Sequence, residues 1–156
     1  MAAELWKDSE TALKGDAVVR APGWNPGEGR LLGREGRVAG MPTAFVATYG
    51  TGRPVIGVLA EFDALPGIGS EAVPRREERH DGVKDGHGCG HNLFGAGSLG
   101  AGIALKHVMQ SQRLPGTLKV FGTPAEETLV GKTYMVRDGV FDGLNAALDW
   151  HPDTRN

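Results

Sequence analysis

Apolar residues alternate along the middle of the chain in runs that predict β-strands. Residues 43–49 and 54–60 are rich in β-branched and aromatic side chains, and a Gly-containing segment at 50–53 separates them. We therefore expect two adjacent strands joined as a hairpin. The second run is apolar at both alternating sets of positions, which is typical of a strand covered on both faces. Helices should then pack on both sides of the sheet.

The second half of the chain switches between helical and strand patterns. Between residues 92 and 112, small and apolar residues recur at spacings of three and four, which predicts a helix. Its several glycines favour close packing against the sheet, because glycine in an exposed helix interior is unfavourable. Residues 117–122 and 145–148 predict further strands, and residues 131–138 predict another helix. The predicted fold class is α/β, with a sheet flanked by helices in three layers.

Two stretches lack such a pattern. Residues 1–33 combine many charges with a Gly/Pro-rich run at 21–29, and we expect a short helix followed by a loop. Residues 69–86 are nearly all polar, which predicts a solvated loop. We therefore divide the chain into an N-terminal region at 1–33 and one folded unit at 34–156.

Composition and charge narrow the classes of function. The 17 Lys and Arg residues and 19 Asp and Glu residues give a net charge of −2 without a basic cluster, which argues against nucleic-acid binding. No apolar run approaches the roughly 20 residues of a membrane-spanning helix, and the N-terminus lacks a signal pattern. We expect a soluble, cytoplasmic protein. Its single cysteine, Cys89, cannot form an internal disulfide.

Side chains that can bind metals lie near the predicted ends of strands or the predicted starts of helices. They offer the nitrogen, sulfur and oxygen donors that zinc and similar divalent ions accept: Asp63, His87, Cys89, His91, Glu126, Glu127 and His151. Open α/β sheets bind ligands at strand ends of this kind. The adjacent carboxylates Glu126 and Glu127 would repel each other in a dry site, and a cation would relieve that repulsion. The pattern indicates a metal centre.

Each segment also has a simpler explanation. A cysteine between glycines is often a small buried apolar residue, and a Glu-Glu pair is often part of the solvated surface. Cys89 could alternatively act as a nucleophile with His91, but the neighbouring glutamates would raise the pKa of the thiol and disfavour this. The G-x-G-x-x-G match at 95–100 lacks both the preceding strand and the following acid of a dinucleotide site. From spacing alone, a metal site and structural roles both remain open.

At these residues the sequence resembles the M20 metallopeptidase and amidohydrolase family, in the branch of p-aminobenzoyl-glutamate hydrolase and aminoacylase-like amidohydrolases. The resemblance covers about residues 33–152. It rests on five ordered motifs: Gly40-Met-Pro-Thr-Ala-Phe45, Leu59-Ala-Glu-Phe-Asp-Ala-Leu-Pro-Gly67, Gly86-His-Gly-Cys-Gly-His-Asn92, Gly122-Thr-Pro-Ala-Glu-Glu127 and Trp150-His-Pro152. It implies a zinc-peptidase-like α/β catalytic domain, interrupted in the family by a smaller lid domain that usually mediates dimerisation.

The resemblance also implies a role for individual residues. The implied metal ligands are Cys89, His91, Glu127 and His151. Glu126 would be the general base and acid, Asp63 would support the metal centre, and His87 would be structural. The cofactor would be one or two divalent ions, zinc or manganese. The substrate would be an amide of an N-acyl amino acid or a small peptide-like compound such as p-aminobenzoyl-glutamate.

Family members are much longer than this chain. Nothing here matches the lid domain or a final C-terminal histidine ligand, since neither His80 nor His107 lies in a matching context. Residues 34–156 would thus be a partial M20 catalytic domain, which we expect to be weakly active or inactive alone. The full-length form would be an oligomer or have a partner subunit. The alternative is a non-catalytic metal-binding or assembly fragment of such an enzyme.

Overall fold

A computed structural model describes residues 2–11 and 34–153 of the chain. The strands, in chain order, are β1 (Arg34–Gly36), β2 (Phe45–Thr51), β3 (Val55–Glu61), β4 (Gly116–Thr123) and β5 (Ala146–Leu148). The helices are α1 (Ala2–Lys7), α2 (His91–Gln112), α3 (Glu126–Leu129) and α4 (Gly131–Arg137), with a 3-10 turn at Val38–Gly40. Sequence reasoning predicted α2, α4 and four of the strands to within about two residues, but not β1 or α3.

The five strands form one mixed sheet in the order β1-β2-β4-β3-β5. The predicted hairpin between the first two strand runs is wrong, because β4 lies between β2 and β3. β4 pairs antiparallel with β2 and parallel with β3. An alternating pattern identifies a strand but not its partner. Here α2 forms the crossover that returns the chain to a position beside β3, which brings the carboxyl ends of β3 and β4 together.

Side chains that alternate along the strands form one apolar cluster on each face of the sheet. One face packs against α1 and α2, and its cluster contains Leu5, Phe45, Ala47, Val58, Ala60, Leu99, Met109, Leu118 and Val120. The other face packs against the segment before β2 and against α4, and its cluster contains Val38, Met41, Val46, Phe121 and Met135. The predicted three-layer α/β architecture is confirmed.

Glycines let α2 lie close to the sheet, as predicted. A Cβ atom on Gly95 would lie 2.8 Å from the carbonyl oxygen of Glu61, and one on Gly102 would lie 2.6 Å from Val120 Cγ2. Both distances are too short for a real side chain. This close approach brings the first turn of α2 next to the end of β3.

The polar loop at 69–86 is not solvated throughout. Arg79 is only 5 % exposed, and its guanidinium donates hydrogen bonds to the carbonyl oxygens of Trp6 and Lys7, at 2.6 and 2.7 Å. It also stacks 4.4 Å from the centre of the Trp6 ring. The prediction of a solvated loop is therefore wrong at Arg79, whose two terminal guanidinium nitrogens fasten the end of α1 to the loop.

Two other expectations concern the ends of the chain and the membrane. The Gly/Pro-rich run at 21–29, where we expect the loop of the N-terminal region, lies outside the described residues, so the division of the chain at residue 33 stays a prediction. Within residues 2–11 and 34–153, no helix is both long and apolar enough to cross a membrane.

Candidate metal centre

The structure brings the predicted site residues to one edge of the sheet. Asp63 follows β3, His91 begins α2, and His151 follows β5. Glu126 and Glu127 begin α3, directly after β4. We call the six predicted site residues the donor cluster: Asp63, Cys89, His91, Glu126, Glu127 and His151. Side-chain atoms able to bind a metal lie within 4.8 Å of one another in two groups: Cys89, His91 and His151, and Glu61, His91 and Glu126.

Two tight backbone turns aim these side chains. Gly90, between Cys89 and His91, has a φ of +85°, and a Cβ atom there would lie 2.6 Å from Pro152 Cγ. Glycine is required on both grounds. Ala125 also has a left-handed backbone, with φ of +60°, and it turns the chain from β4 into α3. An alanine in this conformation carries strain of about 1 to 2 kcal/mol, which the surrounding fold must offset.

Asp63 holds two other members of the donor cluster in place. Its carboxylate is buried, with Oδ1 3.1 Å from His91 Nδ1 and Oδ2 accepting a 3.0 Å hydrogen bond from the backbone N–H of Glu127. When Nδ1 of a histidine donates to a carboxylate, the other ring nitrogen is left with a lone pair for a metal. The contact therefore suits His91 for ligation through Nε2.

The atoms that would face a metal have no hydrogen-bond partner. His91 Nε2 and Glu127 Oε1 are both buried and 4.0 Å apart, and neither makes a hydrogen bond within the described part of the chain, although Glu61 Oε2 lies 3.0 Å from Nε2 in an ion-pair contact. Buried polar atoms are nearly always paired, since an unpaired one costs about 1 to 3 kcal/mol. A cation between a nitrogen and a carboxylate oxygen would satisfy both atoms.

Cys89 and His151 extend the donor cluster towards solvent. Cys89 Sγ lies 3.3 Å from His151 Nε2, and the His91 and His151 rings meet edge to face at 5.4 Å. His151 Nδ1 is 2.8 Å from the carbonyl oxygen of Pro152, which leaves Nε2 free to accept or ligate. The four predicted ligands thus supply two imidazoles, a thiol and a carboxylate, a donor set that fits zinc and related borderline ions.

Sequence reasoning missed Glu61 and Lys132. Glu61 is buried at the end of β3, with Oε2 3.0 Å from His91 Nε2 and Oε1 in an ion pair with Lys132 of α4. A signal was present, because residues two apart in an extended chain point to the same side, and Glu61 precedes Asp63 by two. Both carboxylates flank the His91 ring.

The surrounding charges set the protonation of the donors. Burial alone would lower the pKa of His91, but the carboxylates of Asp63 and Glu61 outweigh it and raise that pKa to about 10. Burial, followed by the adjacent Glu127 carboxylate, raises the pKa of the Cys89 thiol to about 11. A thiol with so high a pKa is a poor nucleophile near neutral pH, which disfavours the cysteine-nucleophile alternative. A bound cation would reverse both shifts, because it favours the thiolate and the neutral imidazole.

His87 lies outside the donor cluster. Its Nε2 atom is 3.0 Å from the carbonyl oxygen of Leu5 in α1, and burial lowers the pKa of its ring. A neutral imidazole donating to a helix carbonyl is a structural contact. The contact joins the start of the cysteine motif to the N-terminal helix.

Comparison with known proteins gives the family. A model described as peptidase family M20/M25/M40 matches residues 57–154, which is more than half of the chain. The chain belongs to this family. The matched residues begin inside β3 and contain every member of the donor cluster, so the resemblance inferred from the motifs is confirmed.

Curated relatives of the chain include a subunit of the p-aminobenzoyl-glutamate hydrolase of Escherichia coli K12, which is 45 % identical over 116 residues. The Xaa-Arg dipeptidase of Mus musculus is 32 % identical over 126 residues. These matches cover 74 % and 75 % of this chain, but only 24 % and 25 % of the relatives. The chain therefore spans about a quarter of the length of these two relatives.

A solved M20 structure shares the fold. A peptidase from Bacillus subtilis, described as binding two metal ions, superposes with a TM-score of 0.78 and 24 % sequence identity over 98 % of this chain and 41 % of its own. This likeness confirms the α/β fold with flanking helices as that of an M20 peptidase domain.

Proposed function

We propose that the chain forms the N-terminal part of the catalytic domain of a metal-dependent amidohydrolase. The observation that carries the proposal is the pair of buried atoms without a hydrogen bond in the described residues, His91 Nε2 and Glu127 Oε1, 4.0 Å apart at the end of the sheet, with Glu61 Oε2 3.0 Å from the same nitrogen. Membership of the M20 family supports it, as does the similarity to a hydrolase that is named for p-aminobenzoyl-glutamate. The proposed substrates are N-acyl amino acids and small peptide-like amides, p-aminobenzoyl-glutamate among them.

The metal would be held by Cys89, His91, Glu127 and His151. A thiolate and two imidazoles favour zinc, whereas the carboxylate also suits manganese, and we propose one or two ions of either kind. Asp63 would orient His91 and Glu127 rather than bind the metal itself. When bound, the metal supplies Lewis acidity for the amide carbonyl and acidifies water.

Glu126 is the proposed general base and acid. Its carboxylate lies within 4.8 Å of the metal-binding atoms of Glu61 and His91 and is half-buried, so it can reach both the donor cluster and a water molecule from solvent. It would take a proton from the attacking water and then deliver that proton to the amide nitrogen as the C–N bond breaks. Glu61, paired with Lys132, lacks this freedom.

The proposed activity also depends on protein beyond this chain. Because the chain spans about a quarter of its relatives, we infer that hydrolysis requires further protein, either in the same polypeptide or as a partner subunit. The Escherichia coli relative is itself named as a subunit. We also propose that the protein is cytoplasmic.

The test is metal content by elemental mass spectrometry on the chain after metal-replete purification. We expect one or two ions per chain in the wild type, at least a tenfold loss in Cys89→Ala and Glu127→Gln, and unchanged content in Glu126→Gln. Glu78→Gln is the matched control, since its side chain is 88 % exposed in the polar loop. A wild type without metal, or ligand variants that keep it fully, would contradict the proposal.

Release of p-aminobenzoate from p-aminobenzoyl-glutamate is followed on the same samples. Glu126→Gln should reduce any hydrolysis by about 10² to 10⁴-fold, the usual contribution of general acid–base catalysis. Stoichiometric metal without hydrolysis would establish the site and is the result expected if hydrolysis requires further protein. Hydrolysis that survives Glu126→Gln would show that the base is another residue.

A further inference from the structure

The segment that carries His151 is attached to the middle of α2 through Trp150. The indole Nε1–H donates a 3.1 Å hydrogen bond to the hydroxyl of Ser98, which is fully buried. The indole also meets the ring of Phe94 edge to face at 5.6 Å. Although Trp150 is 44 % exposed, its polar end is therefore held by a buried group.

A glycine makes room for this ring. A Cβ atom on Gly97 would lie 2.6 Å from Trp150 Cζ2 and within 3.5 Å of two further indole atoms. Gly97 keeps an ordinary helical backbone, so helix geometry does not require glycine here. Gly100, one turn further along the same helix, has nothing within 4 Å of a Cβ placed on it. The absence of a side chain at Gly97 thus matters because of Trp150.

His151 itself has few fixed contacts. It is exposed, and it meets Phe94 edge to face at 5.9 Å and Cys89 through the 3.3 Å contact of its Nε2 atom. β5, the strand before it, is three residues long and exposed throughout. The adjacent residue, Trp150, by contrast reaches a fully buried hydrogen-bond partner on α2.

We propose that Gly97 and Ser98 are positioning residues for the metal ligand His151. They hold the Trp150 indole against α2, and this fixes the direction in which the His151 side chain points from the backbone. The proposal rests on the proposed function, since it takes His151 to be a ligand. Substitutions that displace positioning groups around a metal typically weaken binding about 10- to 100-fold.

The test is a Co²⁺ titration of the full chain and of its Gly97→Ala, Ser98→Ala and Gly100→Ala variants. Co²⁺ is the probe because its visible spectrum reports coordination and its near-ultraviolet charge-transfer band reports the Cys89 thiolate. We expect Gly97→Ala and Ser98→Ala to bind Co²⁺ about 10- to 100-fold more weakly, with the thiolate band retained. Gly100→Ala should bind like the wild type, although it makes the same change in the same helix.

A double-mutant cycle with His151→Ala tests whether the effect passes through the ligand. In a His151→Ala background, Gly97→Ala should cause no further loss of affinity. An equal loss in both backgrounds would overturn the positioning role, because the substitution would then act elsewhere. Unchanged affinity in Gly97→Ala and Ser98→Ala would overturn it as well.

The metal-free chain provides a second readout. The indole N–H signal of Trp150 in a nitrogen–proton NMR spectrum, assigned with Trp150→Phe, should move in Gly97→Ala and Ser98→Ala and stay in Gly100→Ala. An unmoved signal would contradict the proposed contact. A wild-type chain that binds no Co²⁺ would overturn the proposed function and the positioning role together, whereas the other negative results overturn the positioning role alone.

Discussion

Asp63→Asn is the most informative substitution in the donor cluster, because the buried Asp63 carboxylate contacts two other members of the cluster. The two oxygens of Asp63 contact His91 Nδ1 at 3.1 Å and the backbone N–H of Glu127 at 3.0 Å, and both contacts need an acceptor. An asparagine has only one acceptor oxygen. Its NH₂ group must therefore face either the ring of His91 or the amide of Glu127.

The structure also bounds the size of the effect. His91 Nδ1 lies 3.0 Å from the backbone carbonyl oxygen of Asp63 as well, so the tautomer that leaves Nε2 free keeps one acceptor after the substitution. The loss should then fall at the lower end of the usual 10- to 100-fold range for groups around a metal ligand. We expect Zn²⁺ affinity to fall about tenfold, or about 1.4 kcal/mol.

Isothermal titration of the metal-free chain with Zn²⁺, in competition with a chelator, measures this change. Asp142→Asn is the matched control, since Asp142 is exposed and lies outside the donor cluster. Equal affinities for Asp63→Asn and Asp142→Asn would refute the view that Asp63 orients the ligands. A loss far beyond 100-fold would also refute it, because Asp63 would then be a ligand itself.

Three further predictions concern the fold. Arg79→Ala removes two charged hydrogen bonds to the end of α1 and should lower the free energy of local opening there by about 2 to 3 kcal/mol, seen as faster hydrogen exchange in α1 but not in β4. The hydrogen bond from Arg79 lowers the pKa of Asp81 to about 2, below its ordinary 3.8. This carboxylate therefore stabilises the fold above pH 3.8, and the stabilisation is lost as the pH falls from 3.8 to 2. Asp81→Asn should remove this part of the pH dependence of stability, as followed by circular dichroism. Gly122→Ala places a Cβ 2.1 Å from the Phe45 ring and should lower the free energy of unfolding in urea by about 1 to 3 kcal/mol, whereas Gly36→Ala, with open space at its Cβ, should not.

Periodicity predicted the layers of this fold because each face of the sheet is buried against a different set of helices. Phe45 and Ala47 lie on one face and Val46 on the other, so the alternation in the sequence is the alternation in the structure. The partner of β2 was not predictable in the same way. β4 is far away in the sequence, and its pairing depends on the α2 crossover rather than on any local turn signal.

The structure brings the six predicted residues of the donor cluster together, but their arrangement was not predictable from the sequence, and their roles stay predictions. Cys89, Glu127 and His151 carry side chains whose chemistry stands out in a sequence, and the family motifs supplied the roles still to be tested. Glu61 was missed because a single acid at a strand end usually faces solvent. Its burial results from the approach of α2 and from the Lys132 ion pair, and both are tertiary contacts.

Because β5 is short and exposed, metal binding should stabilise this edge of the sheet against local opening. Only three residues of β5 pair with β3, and none of them is buried, so this edge should open more readily than the rest of the sheet. His151 lies three residues beyond the end of β5, and a shared ion would join it to Cys89, two residues before α2. The ion would crosslink the segment after β5 to the segment before α2 at the edge of the sheet. At a free concentration 100 times its dissociation constant it would contribute about 2.7 kcal/mol against that opening.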